Sequence, residues 1–174
     1  MFVSRSSVSF CPCGRTNPVV YHIQACTEGK VDVVKEVLAE NPDWINEKSH
    51  QGESCLHVSG IYGQEEITAL LLSKGADPNI RSSFHQGLRM HPLSWNLFHG
   101  HVGNAKLLLE GGADVNADFD HMGTQTPVTS LDIVEEILSK MSDTDERLPE
   151  FNELKDLLIK HGAMRIADLN DQEL

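Results

Sequence analysis

The chain has 174 residues, of which 40% are hydrophobic and 23% charged, a size and composition that fit one globular domain. Its 26 acidic and 14 basic residues give a formal net charge of −12, and a field of this sign repels nucleic acid and anionic lipid. No apolar run approaches the roughly 20 residues needed to cross a bilayer. Composition therefore argues against a nucleic-acid-binding protein and a membrane-spanning one.

The first predicted segment, residues 1–18, is an N-terminal extension. Residues 1–27 carry two arginines and several serines, and no acidic residue precedes Glu28. This composition is shared by flexible extensions and by organellar transit segments, so both interpretations stay open. We expect a cytoplasmic protein, or an organellar one if the segment directs import.

Four cysteines, at positions 11, 13, 26 and 55, are too sparse to predict a disulfide framework. We therefore expect free thiols in a reducing compartment. Cys11 and Cys13 could join His22 and Cys26 around a metal, but C-x-C lacks the usual C-x-x-C spacing. The histidines show no ligand spacing either, so no metal site and no cofactor are predicted, and a role for the first two cysteines stays open.

Two segments of the chain, residues 54–79 and 91–116, repeat each other with a period of 37 residues. Each contains two short helical patterns separated by a glycine, Gly63 or Gly100. Gly75 and Gly112 follow the second helix, where the chain must turn through positive φ. The Asp and Asn residues after these glycines are expected to hydrogen-bond local backbone and hold the turn. The pattern predicts a helix, a turn and a helix in each copy.

Weaker copies flank this pair. Residues 24–46 repeat the scheme with Gly29 at the inter-helix turn, and residues 129–138 and 151–163 form a fourth unit interrupted by an insertion near residues 140–150. Residues 167–174 are predicted to be an acidic C-terminal tail. Because one helical hairpin cannot bury its own apolar faces, the units are expected to stack.

These units resemble the ankyrin repeat, whose pattern has a leucine–histidine pair in the first helix, a Gly-His turn, an apolar second helix and G-A-D-V-N. Here Leu56 and His57, Gly100 and His101, and residues 112–116 stand at those positions. The resemblance implies an all-α, ankyrin-type α-solenoid of about four helix-turn-helix repeats. They would span residues 19–48, 49–81, 86–119 and 120–166, with extended inter-repeat loops at residues 80–91 and after residue 117.

The resemblance also implies a binding surface on the concave side of the stack, formed by inter-repeat loops and first helices. By position, the expected partner-binding residues are His50, Gln51, Glu53, Ile61, Tyr62, Leu88, Met90, Trp95, Phe98 and His99. Exposed aromatic side chains and methionine are typical of binding hot spots. The alternative is that the long loops fold down and bury Met90 and Phe98 between units.

The resemblance assigns further residues structural roles. His57 and His101 would hydrogen-bond loop backbone. Asn116 matches the position that an asparaginyl hydroxylase modifies in some ankyrin sequences, although most family members carry a purely structural asparagine there.

The sequence contains no phosphate-binding loop and no nucleophile elbow, so no catalytic residue is predicted. We expect a noncatalytic interaction module, an adaptor or scaffold that binds a protein, favouring a basic one, and is a monomer by itself. The alternative is an accessory or regulatory subunit of an enzyme or organellar complex, docked through its N-terminal extension.

Overall fold

The computed structural model describes residues 18–83, 89–120 and 126–172. Nine helices occur in this part of the chain: α1 (Pro18–Thr27), α2 (Val31–Glu40), α3 (Cys55–Ile61), α4 (Glu65–Ser73), α5 (Pro92–His99), α6 (Val102–Glu110), α7 (Ser130–Lys140), α8 (Leu148–Lys160) and α9 (Ile166–Gln172). The first eight pair in order as repeats one to four. The predicted all-α stack of four helix pairs is confirmed.

The helices form two rows. In the inner row α1, α3, α5 and α7 contact each other in turn, and in the outer row α2, α4, α6 and α8 do the same. A continuous apolar core lies between the rows. Its largest fully buried members in the central repeats are Leu56, Ile67, Leu71, Leu93, Leu97 and Leu108.

Glycines end the outer helices where the repeated pattern predicts. Gly75 and Gly112 have φ values of +88° and +93°, and Cβ atoms added there would meet no atom within 4 Å. Because the space is open, the requirement for glycine is conformational: L residues rarely adopt this backbone region. These two turns set the direction of the loops that follow.

Asparagines in the loops link successive repeats. The Asp77 carboxylate accepts the Asn79 N–H at 2.9 Å, a local bond of the expected kind. The Asn79 side chain, however, reaches the next repeat, where it donates to the Gly112 carbonyl at 3.1 Å and accepts the Asp114 N–H at 2.7 Å. Asn116 makes the same two bonds to the turn that ends repeat four. The expectation of local bonding is therefore wrong for these asparagine side chains, which connect neighbouring units.

Repeat four has an insertion and a helical end. Residues 141–147 separate α7 from α8, and α9 continues through Gln172 where the sequence predicts an acidic tail. Asp132 fixes this end: one carboxylate oxygen accepts the Thr129 N–H at 2.8 Å and the Ile166 N–H at 3.0 Å. The start of α7 and the start of α9 are thereby joined.

A disulfide between Cys26 and Cys55 connects α1 to α3, with Cα atoms 5.5 Å apart. The expectation of free thiols is wrong for this pair, because stacking brings together two residues that are 29 positions apart. Cys11 and Cys13 lie outside the described residues, as do residues 1–17 of the predicted extension. None of the described helices combines the length and the apolar character that a bilayer span requires.

Candidate protein-binding surface

The loop between repeats one and two ends in a fixed turn. Lys48 and Ser54 pair in a single antiparallel bridge, and Gly52 closes the turn with φ +89°. The Ser83 N–H of the next loop donates to the Gly52 carbonyl at 3.2 Å. A Cβ added at Gly52 would lie 2.4 Å from the Ser83 Cβ, so no side chain larger than glycine fits there. Two neighbouring loops therefore support each other.

This turn carries three of the predicted contact residues. His50 and Gln51 are exposed and Glu53 is half-buried. The Ser49 N–H donates to the Glu53 carbonyl at 2.8 Å, which orders the backbone beneath them. Partial burial raises the pKa of the Glu53 carboxyl above its usual range. The turn thus offers polar side chains on an ordered backbone.

The C-terminal ends of α3 and α5 carry three more of the predicted contact residues. The His101 ring donates from Nε2 to the Ile61 carbonyl at 3.1 Å, and His99 stacks on His101 with ring centres 6.1 Å apart. Ile61 is half-buried, His99 is exposed and Tyr62 is 56% exposed. Tyr62 is the most exposed large apolar side chain in the described part of the chain. The His101 bond therefore joins the two helix ends that present Tyr62 and His99.

Three of the remaining predicted residues, Met90, Trp95 and Phe98, belong to a second apolar cluster, which we call the loop cluster. Met90, Phe119 and Ile133 are buried in it, and Trp95 and Phe98 are half-buried against it. Met90 is only 1% exposed and packs with Phe119 and Ile133, so its prediction as a partner contact is wrong. Leu88 lies outside the described residues.

The loop cluster lies next to a two-stranded hairpin in the loop between repeats three and four. Strand β1 (Phe119–Asp120) pairs antiparallel with β2 (Pro127–Val128), and Phe119 faces Val128 in the register. Because Phe119 and Val128 both belong to the loop cluster, this hairpin contributes to covering Trp95 and Phe98. The hairpin therefore covers part of the inner face of repeat three.

Buried histidines hold the loops as predicted. His57 accepts the Ser54 N–H through Nδ1 at 3.1 Å and donates from Nε2 to the Met90 carbonyl at 3.1 Å. Burial lowers the pKa of His57 to about 4, so the ring is neutral at pH 7. The expectation that His57 bonds loop backbone is confirmed, whereas His101 bonds the carbonyl of Ile61, the last residue of α3. These imidazoles are structural groups.

One ion pair was missed in the sequence. The Arg81 guanidinium lies 2.9 Å from the Asp118 carboxylate, joining loops two–three and three–four. The two residues are 37 positions apart, which is the repeat period, so they occupy equivalent positions in successive repeats. Opposite charges at equivalent positions are the feature of the sequence that could have predicted this ion pair. Asn116, the candidate for hydroxylation, has both ends of its amide engaged with repeat four, and its modification stays a prediction.

Comparison with known proteins agrees with this architecture. A family model described as "Ankyrin repeats (3 copies)" matches residues 22–119, more than half of the chain. "Ankyrin repeat and SAM domain-containing protein 6" of Rattus norvegicus is 31% identical over 101 residues, covering 58% of this chain and 11% of the relative.

Two further relatives carry other activities in their names. "Putative E3 ubiquitin-protein ligase XBAT31" of Arabidopsis thaliana is 29% identical over 99 residues, 56% of this chain and 21% of the relative. "Tyrosine-protein kinase HTK16" of Hydra vulgaris is 32% identical over 97 residues, 55% of this chain and 12% of the relative. The matched part thus spans about a tenth to a fifth of each relative. Taken with the stacked helix pairs, the family match shows that this chain belongs to the ankyrin repeat family.

Proposed function

We propose that this protein is a noncatalytic adaptor that binds a partner protein through His50, Gln51, Glu53, Ile61, Tyr62 and His99, here named the α3 surface. Ankyrin repeats generally mediate protein–protein interaction. The observation that carries the proposal is the exposure of Tyr62, which is 56% exposed, while Met90 is buried and Phe98 is half-buried in the loop cluster. A tyrosine is a frequent interface anchor since it combines an apolar ring with a polar end.

The backbone beneath the α3 surface is already ordered, which favours binding. The Ser83–Gly52 and His101–Ile61 hydrogen bonds fix its two ends before any partner arrives. A surface held in this way loses little conformational entropy on association. The interaction therefore depends on side-chain fit and not on folding of the loops.

Charge favours a basic partner segment. Glu65 and Glu66 are exposed three and four residues after Tyr62, and the chain carries a net charge of −12. We propose that the partner presents an apolar side chain to Tyr62 and lysine or arginine to the neighbouring carboxylates. Attraction of this kind accelerates association and weakens as salt rises.

The experiment compares Tyr62→Ala with Ile159→Ala, each in the full chain used for affinity capture from native extract. Ile159 is a matched control because it is 51% exposed but lies on α8, in the outer row. We expect Tyr62→Ala to lose specific partners that the wild type and Ile159→Ala both retain. Purified partner then gives the affinity by titration at low and high salt.

Identical partners and affinities for all three proteins would contradict the α3 surface. Deleting residues 1–17 in the same assay tests the alternative of an accessory subunit docked through its N-terminal extension. Loss of partners on deletion, with Tyr62→Ala unchanged, would favour that alternative.

A further inference from the structure

A buried cluster of His22, Cys26 and Cys55 lies at the first junction of the stack, where α1 meets α3. The potential ligand atoms of these three side chains are all within 4.8 Å of one another. His22 and Cys26 are 0% exposed and Cys55 is 1% exposed. His22 and Cys26 are four residues apart on α1, so they share one helix face, and Cys55 begins α3.

His22 is an unusual residue for its position. It lies seven residues before Gly29, just as Leu56 precedes Gly63 and Leu93 precedes Gly100. In the described part of the chain, neither ring nitrogen of His22 has a hydrogen-bond partner. A leucine satisfies the packing in the next two repeats, whereas a buried imidazole without a partner is unfavourable. One of its ring nitrogens instead lies within 4.8 Å of both cysteine sulfurs.

We propose that, when the Cys26–Cys55 disulfide is reduced, His22, Cys26 and Cys55 bind one thiophilic d¹⁰ cation, Zn²⁺ or Cu⁺. Two thiolates and an imidazole are ligands that both ions accept. With metal–sulfur bonds of about 2.3 Å, ligand atoms on one ion lie about 4 Å apart. All three ligand atoms already lie within 4.8 Å of one another, and the two sulfurs need only move apart once their bond is reduced. The unpartnered imidazole would then gain the partner that the protein itself does not supply.

The chemistry balances in two steps. An external dithiol transfers two electrons and two protons to the disulfide, giving two Cys thiols, and is itself oxidised to a disulfide. The cation then displaces both thiol protons to solvent and forms two metal–sulfur bonds and one metal–nitrogen bond, with no change in its oxidation state. Oxidation and metal binding are thus mutually exclusive at Cys26 and Cys55.

The test uses the full chain carrying Cys11→Ser and Cys13→Ser, so that every remaining thiol belongs to the cluster. The protein is reduced without oxygen, freed of reductant and titrated with Zn²⁺ or Cu⁺ against a competing chelator, and with Co²⁺ as a spectroscopic substitute for Zn²⁺. We expect one ion per chain, a thiolate-to-cobalt charge-transfer band, and re-formation of the disulfide blocked by the bound ion. The ion that binds with the higher affinity is then identified as the ligand of the site.

His22→Leu is the decisive variant, because leucine occupies this position in repeats two and three and the fold should be kept, as circular dichroism will check. Its affinity should fall by at least the roughly 10-fold to 100-fold that loss of an outer-shell metal partner costs. Cys55→Ser should abolish the charge-transfer band. The proposal would be overturned by an unchanged metal affinity in His22→Leu or by binding of neither ion. It would also be overturned by a disulfide that resists the dithiol in the folded protein. Metal binding that is present in the unmodified chain but lost with Cys11→Ser and Cys13→Ser would overturn it as well.

Discussion

The junction between repeats one and two is held differently from the two junctions after it. At the later junctions, Asn79 and Asn116 each form two hydrogen bonds to the next repeat. At the first junction, Asn46 accepts one hydrogen bond, from the Asp77 N–H at 2.9 Å. The loop there is the 3₁₀ turn Pro42–Asn46 without a terminal glycine, and the Cys26–Cys55 disulfide crosses the same interface.

Stacking of the repeats in this chain is thus stabilised in two ways, by weak bonds that recur or by one covalent bond. The later junctions depend on hydrogen bonds from asparagine side chains to backbone groups, and these bonds recur with the sequence period. The first junction depends more on side-chain contacts that do not recur in the other repeats, including the disulfide bond. Four predictions test whether this difference is energetic as well as geometric, in order of expected effect.

The largest effect should come from the core. Leu108 in α6 is 0% exposed and Leu38 in α2 is 4% exposed, so both alanine substitutions remove fully packed side chains. Each should lower the free energy of unfolding by about 2–5 kcal/mol. Among the described residues, repeat three contacts neighbours on both sides and repeat one contacts a neighbour on one side, so Leu108→Ala should cost more and broaden the transition.

The measurement is urea unfolding followed by circular dichroism and by tryptophan fluorescence. Equal losses for the two variants would indicate that the stack unfolds as one unit with no distinction between its end and its centre.

Loss of the disulfide should have the second-largest effect on stability. A cross-link between residues 29 positions apart stabilises a folded chain by about 2–4 kcal/mol. Reductant in the presence of a metal chelator should therefore lower the free energy of unfolding of the wild type by that amount, as measured by a lower urea midpoint. A Cys26→Ala, Cys55→Ala double variant should be equally destabilised without reductant and insensitive to it, whereas Cys11→Ser, Cys13→Ser should respond like the wild type.

Acid should have the third-largest effect, because it should weaken the junction between repeats two and three. Burial lowers the pKa of His57 to about 4, below its value of about 6.5 in the unfolded chain. The unfolded state therefore binds the proton more readily, and stability is lost as pH falls from 6.5 towards 4. Between pH 7 and pH 5 we expect His57 to contribute a loss of about 1–2 kcal/mol.

The contribution of His57 can be isolated by substitution. Burial also lowers the pKa of His22 and of His91, so the wild type should lose more stability in acid than His57 alone explains. His57→Gln should reduce the slope of stability against pH although it lowers stability at pH 7. A variant whose pH profile runs parallel to that of the wild type would rule out His57 as a source of acid sensitivity.

The sequence predicts most of the architecture, because glycine spacing and apolar periodicity are local signals. Gly63 and Gly100, for example, locate the turns within repeats two and three directly. Met90 was misplaced because its burial depends on contacts with Phe119 and Ile133, which only the folded loops bring together. The Cys26–Cys55 pair was missed for the same reason, since it follows from how α1 stacks on α3.

The smallest effect separates the junctions most directly. Asn79→Ala removes two hydrogen bonds to repeat three and should cost about 1 kcal/mol, because both backbone groups lie where water can replace the amide. Asn46→Ala removes the bond to Asp77 and should cost about half as much. Urea midpoints give the totals, and amide hydrogen exchange at Asp114 and Asp77 shows whether the loss is local. If Asn46→Ala were as damaging as Asn79→Ala, the first junction would depend on its asparagine as strongly as the second does, and the disulfide would be an addition to the hydrogen bonds and not a replacement for them.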